Sequence, residues 1–279
     1  MSSNINNIRR HFNRNANSYD AHAHVQRMMS DALSKSLVDW KKNEDLDGLD
    51  IVEIGCGTGN LTEMVVNGWP TASITAIDIA PVMIQLAEQR IRSAAASDRL
   101  RFLQTDVEIW APDVPTATVD LIVSNACFQW LADPLQTLGQ LRRMLRPGGL
   151  LLFTTFGPDT FGEMHEAFNE VYRASGIKPQ RHGLSFHTTV QWFNMLKESG
   201  FSNIQYERTI HTEKYDSASD FLHSVKAMGA SASEAVSMRG LSTRRLFANM
   251  YKVYEEKFSI PGGVAASYDL LLIQASADL

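Results

Sequence analysis

The sequence predicts an α/β fold, a mostly parallel sheet with helices on both faces. Three observations predict it. Between residues 49 and 156, short apolar runs alternate with helical stretches, the pattern of strands buried on both sides by crossover helices. The first run ends in a glycine-rich turn at 55–59. Polar side chains also stand at the ends of four successive runs.

The elements follow in order. Residues 8–40 read as helical, with a polar interruption at 13–20, and the charged stretch 41–48 as a loop. Residues 49–55 form the first strand and 58–67 the helix behind it. A second strand is expected at 73–79, then a helix over 81–95 with Pro81 in its first turn. Strands follow at 100–105 and 119–125, a helix at 133–145, a turn at 146–149 and a fifth strand at 150–156. Beyond it, 190–199 reads as a helix closed by Gly200, 203–209 as a strand, 217–257 as wholly helical, and 268–274 as the last strand. A helical stretch lying between the last two strands would sit over the carboxyl ends of the sheet as a cap. The expected division is a single domain over 1–279: an N-terminal helical segment 1–48, a core 49–210, a cap insertion 211–262 and a final strand 263–279.

Composition bounds the partners. An apolar fraction of 44% with 20% charged residues is that of an ordinary globular chain of 279 residues. No run approaches the length of a membrane span, and the polar first residues lack a secretory signal's apolar core, so a cytoplasmic protein without membrane association is expected. Cys56 and Cys127 are too few for a disulfide framework or a cysteine metal site, so both are expected reduced, with no metal. The net charge of −5 argues against a general nucleic-acid binder. It hides two basic segments. Residues 1–27 carry Arg9, Arg10, Arg14 and Arg27 against Asp20 alone, and 226–257 carries six Lys or Arg against three Glu. Each is either a solvated helix face or a contact for an anionic partner.

Glu53-Ile54-Gly55-Cys56-Gly57-Thr58-Gly59 closes the first strand and opens its helix. Glycine there lets backbone approach a ligand, and the helix N-terminus favours an anionic group. Asn60 stands where a nicotinamide dinucleotide fingerprint needs its third glycine, which disfavours an oxidoreductase. Asp78, at the second strand's tip, offers two acceptor oxygens to a ribose, or caps the next helix. Asp106 ends the third strand, where it can receive an adenine amino group, and Ser124-Asn125 with Gln129-Trp130 ends the fourth.

This combination resembles the class I S-adenosylmethionine-dependent methyltransferases. The resemblance implies a Rossmann-like seven-stranded sheet, its last strand antiparallel and inserted beside its neighbour. It implies donor contacts from Tyr19, Glu53, Gly55, Cys56, Gly57, Gly59, Asp78, Ile79, Met83, Asp106, Val107 and Asn125. Residues 12–20 (FNRNANSYD), Val25-Gln26, Gln129-Trp130, 157–165 (GPDTFGEMH) and Leu222 through 226–230 (KAMGA) are similar, more narrowly, to the malonyl-acyl-carrier-protein O-methyltransferases of biotin synthesis. That narrower resemblance implies methylation of the free carboxylate of malonyl-acyl carrier protein, giving a methyl ester that masks the charge. Such a reaction needs no general base, because a carboxylate of pKa roughly 3 to 4 is already ionised; a monomer is expected. Tyr19, His165, His187 and Lys226 are candidates to position the malonyl carboxylate, and Arg239, Arg244, Arg245 and Lys252 to dock the acidic carrier. The alternatives are a small-molecule carboxyl methyltransferase acting on an acid such as trans-aconitate, methyl transfer to a quinone-type carbon, and a non-catalytic subunit that binds the donor.

Overall fold

A computed structural model describes residues 2–41, 48–91, 98–228 and 243–278. Parallel strands β1 (Asp50–Ile54), β2 (Ser73–Asp78), β3 (Leu100–Gln104), β4 (Val119–Asn125) and β5 (Leu145–Phe156) are followed by the antiparallel β6 (Phe201–Tyr215) and β8 (Gly263–Ala277). The sheet order is β3-β2-β1-β4-β5-β8-β6. β8 is thus inserted between β5 and β6 and runs antiparallel to both. An eighth, two-residue strand, β7 (Ser259–Ile260), pairs with β8 beside this path of seven.

The order has a consequence for function. From β1 the chain builds outward to β2 and β3 on one side, then returns to lay β4 and β5 on the other. The crossover connections leave the carboxyl ends of β1 and β4 in different directions, which opens a crevice there.

The central strands are apolar on both faces, so their burial is continuous rather than alternating; β1 is buried from Ile51 to Ile54. Helices α5 (Val107–Trp110), α6 (Pro134–Met144) and α8 (Thr189–Glu198) belong to one face, where Leu138, Leu141 and Trp192 pack on Ile122, Leu151 and Phe153. Helices α2 (His24–Lys41) and α3 (Asn60–Gly68) cover the other, where Leu33, Leu37 and Val65 pack on Ile51 and Leu121. A third cluster joins α7 (Gly162–Ala174), α9 (Ala218–Ala227) and α10 (Thr243–Phe258) over the end of β8. α4 (Pro81–Arg90) meets α1 (Ser2–His22) through Ala16, Ala80 and Met83.

Several expectations are corrected. α1 runs unbroken through 13–20, and the helical break falls at Ala23 instead. The polar residues there are spent on tertiary contacts: Asn13 Oδ1 accepts from the Val82 N–H at 3.2 Å, Asn15 Nδ2 reaches the Lys226 carbonyl at 3.4 Å, and Ala16 is buried. β6 continues to Tyr215, so the expected boundary at 211 falls within a strand. The 146–149 turn is absorbed into β5, with a register shift against β4 between Val119 and Leu121 and Gly148 at φ 80°. α7 is an element the pattern reading leaves out, although Met164, Ala167, Phe168 and Val171 have helical spacing. In the expected helix over 217–257, α9 and α10 are described and 229–242 lie outside the described residues. Among the described residues no helix is long and apolar enough to cross a membrane, and no cluster of His, Cys, Asp or Glu could hold a metal.

Candidate functional site

A cleft enclosing ≈ 800 Å³ lies over the carboxyl ends of β1, β2 and β4, at the crevice the strand order creates. Its walls include Gly55, Gly57, Asp78, Ile79, Met83, Asp106, Val107 and Asn125, with Ile5, Ile8, Phe12 and Tyr19 of α1 across the opening. A second cavity beside it is bounded by Tyr19, Gln26, Arg27, Glu53, Cys56, Thr58 and Asn60. A third is walled by Phe12, Tyr19, Gln26, Ala126, Gln129, Trp130, Phe156, Thr160, Phe161, Phe186, Met228 and Tyr268. Tyr19 lines all three.

The glycine turn is built by close packing. Gly55 has φ +74°, and a Cβ on it would meet Cys127 Sγ at 2.4 Å. Gly57 has open space where its Cβ would stand, on the wall of the cleft, so a side chain there would occupy ligand volume. Asp78 pins this turn, its Oδ2 accepting from the Gly57 N–H at 2.9 Å and its Oδ1 from the Ala80 N–H at 2.8 Å. Asp78 therefore both organises backbone and faces the cleft, with acceptor capacity remaining on its carboxylate.

Burial dominates the electrostatics of the cleft. Burial raises Asp78 to about 6 and Glu53 to about 7. Burial also raises Asp106, whose Oδ1 accepts from the Glu108 N–H at 3.0 Å. Glu53 Oε2, Asn60 Oδ1, Asp106 Oδ2 and Gln26 Oε1 are all enclosed without a hydrogen-bond partner. A folded protein rarely leaves such acceptors unmatched, and together they ask for a ligand rich in N–H and O–H donors. A ribonucleoside carrying an amino-acid end has that character, so the side chains present fit S-adenosylmethionine.

The remaining expected residues are placed as follows. Burial, with Asp78 and Asp20 next in effect, raises Tyr19 far above the usual phenol range, so it stays an O–H donor. Burial pushes the Cys127 thiol up to about 12 and Cys56 well above its ordinary value, and both are free and protonated at neutral pH. Asn125 is used as a tie, donating from Nδ2 to the Gln26 carbonyl at 2.9 Å and accepting from Thr154 Oγ1 at 2.6 Å. Gly59 starts α3 at φ +85°, with Ala87 only 2.9 Å from where its Cβ would be. His165, His187 and Lys226 line none of the three cavities. His165 is on α7, where burial and then Arg181 lower its pKa. His187 packs edge-on to Trp192, and Lys226 Nζ lies over the Phe247 ring at 5.4 Å. Lys226 and Arg244 instead border an open surface groove with Phe247 and Tyr251. Arg245 and Lys252 are exposed on the same helix, Lys252 pairing with Glu256 at 3.8 Å; Arg239 lies outside the described residues.

Sequence reasoning misses Arg27, Thr58 and the aromatic walls as site residues. Arg27 donates to the Asp20 carbonyl, while the Asp20 carboxylate accepts from Thr58 Oγ1 at 2.7 Å and pairs with Arg90. Phe12 packs edge-on to Trp130 at 5.5 Å. Phe12 and Gln26 stand in stretches that resemble the narrower family, and that is their only signal in the chain, whereas Trp130 is also marked by its place at the end of the fourth strand.

Residues 21–206 match the model of a methyltransferase domain. A malonyl-[acyl-carrier protein] O-methyltransferase of Paenibacillus sp. (strain JDR-2) is 55% identical over 96% of this chain and 97% of its own length. One from Halalkalibacterium halodurans is 38% identical over 97% of each. Among solved structures, the YcgJ protein from Bacillus subtilis superposes with a TM-score of 0.58 at 15% identity, over 88% of this chain and 99% of that one. The phosphoethanolamine N-methyltransferase 2 of Haemonchus contortus, solved with S-adenosyl-L-methionine, gives 0.53 at 16% identity, over 88% of this chain and 52% of that one. These two structures share the fold.

Proposed function

This chain belongs to the malonyl-[acyl-carrier protein] O-methyltransferase family, and from that premise we propose that it transfers the methyl group of S-adenosylmethionine to the free carboxylate of a malonyl thioester on acyl carrier protein. The observation that carries the reading is a near full-length match at 55% identity, on a chain whose donor cleft adjoins a pocket with no acid or base among its described lining residues.

When bound, S-adenosylmethionine supplies an electrophilic methyl group on a positively charged sulfur. The side chains suited to hold it are Asp78 toward the ribose, Asp106 toward the adenine edge, and Glu53 with Asn60 toward the amino-acid end. Gly57 leaves room for it, and Ile79, Met83 and Val107 supply apolar walls. Phe12 and Tyr19, on α1, close the cleft and keep water from the sulfur.

Among the described residues, the neighbouring pocket is lined by no Asp, Glu, His, Lys or Arg. A phenol, amine or carbon acceptor would need a base there; a carboxylate, ionised at neutral pH, needs none. Catalysis is then mostly positioning between apolar walls that strengthen every polar contact. In this reading residues 49–210 hold the donor, while the N-terminal segment and the helices after β6 enclose the acceptor. The groove bordered by Lys226 and Arg244, with Arg245 and Lys252 nearby, faces the acidic carrier. The enzyme works as a monomer in the cytoplasm.

Mass spectrometry of malonyl-acyl carrier protein incubated with the protein and S-adenosylmethionine tests the reading. One added methyl group on the malonyl carboxylate is the expected product. No product on the carrier, with methylation of a free tricarboxylic acid, would reassign the acceptor to a small molecule.

A further inference from the structure

Gln26 stands on the first turn of α2 with its side chain at a seam. Apart from Tyr19, it is the only described side chain that lines both the cavity of Glu53 and Asn60 and the pocket bounded by Phe156 and Tyr268. Its backbone is fixed, the carbonyl accepting from Asn125 Nδ2 at 2.9 Å. Its amide is not engaged at all: Oε1 is enclosed without a partner, and no hydrogen bond of the described residues uses Nε2. An amide oxygen enclosed without a partner is costly unless a ligand completes it, and on this half-buried side chain Nε2 stays available as a donor.

The other polar groups of the acceptor pocket divide clearly. Gln129 donates to the Ala126 carbonyl at 2.7 Å and accepts from Thr155 Oγ1 at 3.1 Å. Thr160 Oγ1 donates to the Asp269 carbonyl at 3.3 Å, and the Tyr268 and Tyr215 hydroxyls share a hydrogen bond at 2.6 Å. Among the described residues, the side-chain donors left free are the Tyr19 hydroxyl, the Trp130 indole N–H and the Gln26 amide. Of these, only Tyr19 and Gln26 also border the cavity suited to the donor's amino-acid end.

We propose that the Gln26 amide bridges the two substrates, its Nε2 donating to an oxygen of the acceptor carboxylate and its Oε1 accepting from the ammonium of the methyl donor. This assignment rests on the carboxylate acceptor proposed above. The chemistry favours an amide over a cation at this point. A lysine or arginine would form an ion pair with the carboxylate and withdraw electron density from the attacking oxygen, whereas a neutral N–H orients it at smaller cost to its nucleophilicity. One amide contacting both partners also couples their binding, so that the carboxylate is seated where the methyl is presented.

Gln26→Glu and Gln26→Leu separate the two contacts. Glu keeps an acceptor for the ammonium but places a negative charge against the carboxylate; Leu removes both interactions at similar volume. Steady-state kinetics with malonyl-acyl carrier protein and calorimetric titration of S-adenosylhomocysteine read the outcome. For Gln26→Glu the carrier kcat/KM should fall at least about tenfold, the range for losing a hydrogen bond to a charged group, while S-adenosylhomocysteine binds within about twofold of the parent. For Gln26→Leu both should weaken, the carrier more. Retained product affinity in Gln26→Glu also certifies its fold. Carrier kinetics unchanged in Gln26→Glu would overturn the bridge, as would a loss confined to S-adenosylhomocysteine binding. If the parent protein methylates no malonyl carrier at all, it is the underlying reading that fails.

Discussion

Glu53 and Asp78 show how single residues carry this site. Both are buried carboxylates whose raised pKa values, about 7 and about 6, follow from desolvation. Their folded-state values exceed the ordinary ones of 4.5 and 3.8, so the ligand-free fold binds extra protons. Their contribution to stability is fully present below the ordinary values and is lost as pH rises through about 6 and then about 7. The melting temperature of the free protein should therefore fall between pH 5 and roughly pH 8. Glu53→Gln should flatten the upper part of that fall and leave the part due to Asp78, as differential scanning calorimetry across pH would show. Affinity for S-adenosylhomocysteine, which brings an ammonium, should run the opposite way and strengthen over the same window in the parent but not in Glu53→Gln. Gly55 is a steric case. Gly55→Ala puts a methyl onto Cys127 Sγ at φ +74°, and should cost about 1–3 kcal/mol in denaturant titration. Adding Cys127→Ala relieves only the collision, because the positive φ remains unfavourable.

At the scale of elements, α1 and the loop before α7 shape the pockets. α1 contributes Ile5, Ile8, Phe12 and Tyr19 to the main cleft, and few of its residues are held by the sheet itself. Phe12→Ala removes an aromatic shared by the donor and acceptor cavities and its edge-on contact with Trp130. Kinetics should show about a tenfold loss in kcat/KM for the carrier, and hydrogen exchange over residues 5–19 should be faster than in the parent when S-adenosylhomocysteine is bound. The loop holding Thr160 and Phe161 is fixed differently. Asp269 is fully buried, bonded to Arg208 Nε at 2.8 Å and to the Asp159 N–H at 3.2 Å, and Gly157 packs against it. A Cβ at Gly157 would stand 2.3 Å from Asp269 Oδ2. Gly157→Ala should lower thermal stability by about 1–3 kcal/mol and raise the KM for the carrier.

Over the whole molecule, an acidic chain of net charge −5 presents basic residues on α10 beside the groove of Lys226 and Arg244. Overall like charge would repel an acidic carrier, so productive encounter depends on the local field of that face. Raising ionic strength should increase the KM for malonyl-acyl carrier protein, since exposed charges are screened. The double change Arg244→Glu, Arg245→Glu should raise the same KM several-fold and remove most of its salt dependence, leaving S-adenosylhomocysteine affinity untouched. Unchanged carrier kinetics in that protein would exclude this face from docking. Also at this scale, the sheet order places β1 and β4 side by side at the reversal, where the cleft opens.

What the amino-acid sequence by itself determined was local. The alternation of apolar runs with helices, the glycine turn after β1 and the acids ending β2 and β3 each stand in a recognisable local pattern, although Asp78 completes the turn across space by accepting from the Gly57 N–H. The donor side of the candidate site, from Glu53 to Asn125, is therefore legible in the chain's own pattern. The tertiary structure decided the acceptor side. Phe12, Gln26, Trp130, Phe156, Phe186 and Tyr268 are far apart in sequence and meet only when α1, β5, β8 and the cap pack together. An apolar residue carries the same periodic signal whether it fills a core or walls a pocket, so no pattern marks these. The same packing keeps α1 helical through residues that read as a break, and it leaves His165, His187 and Lys226 outside the linings of the three cavities. Polar side chains seek partners across space, and the sequence orders only those that lie along the chain.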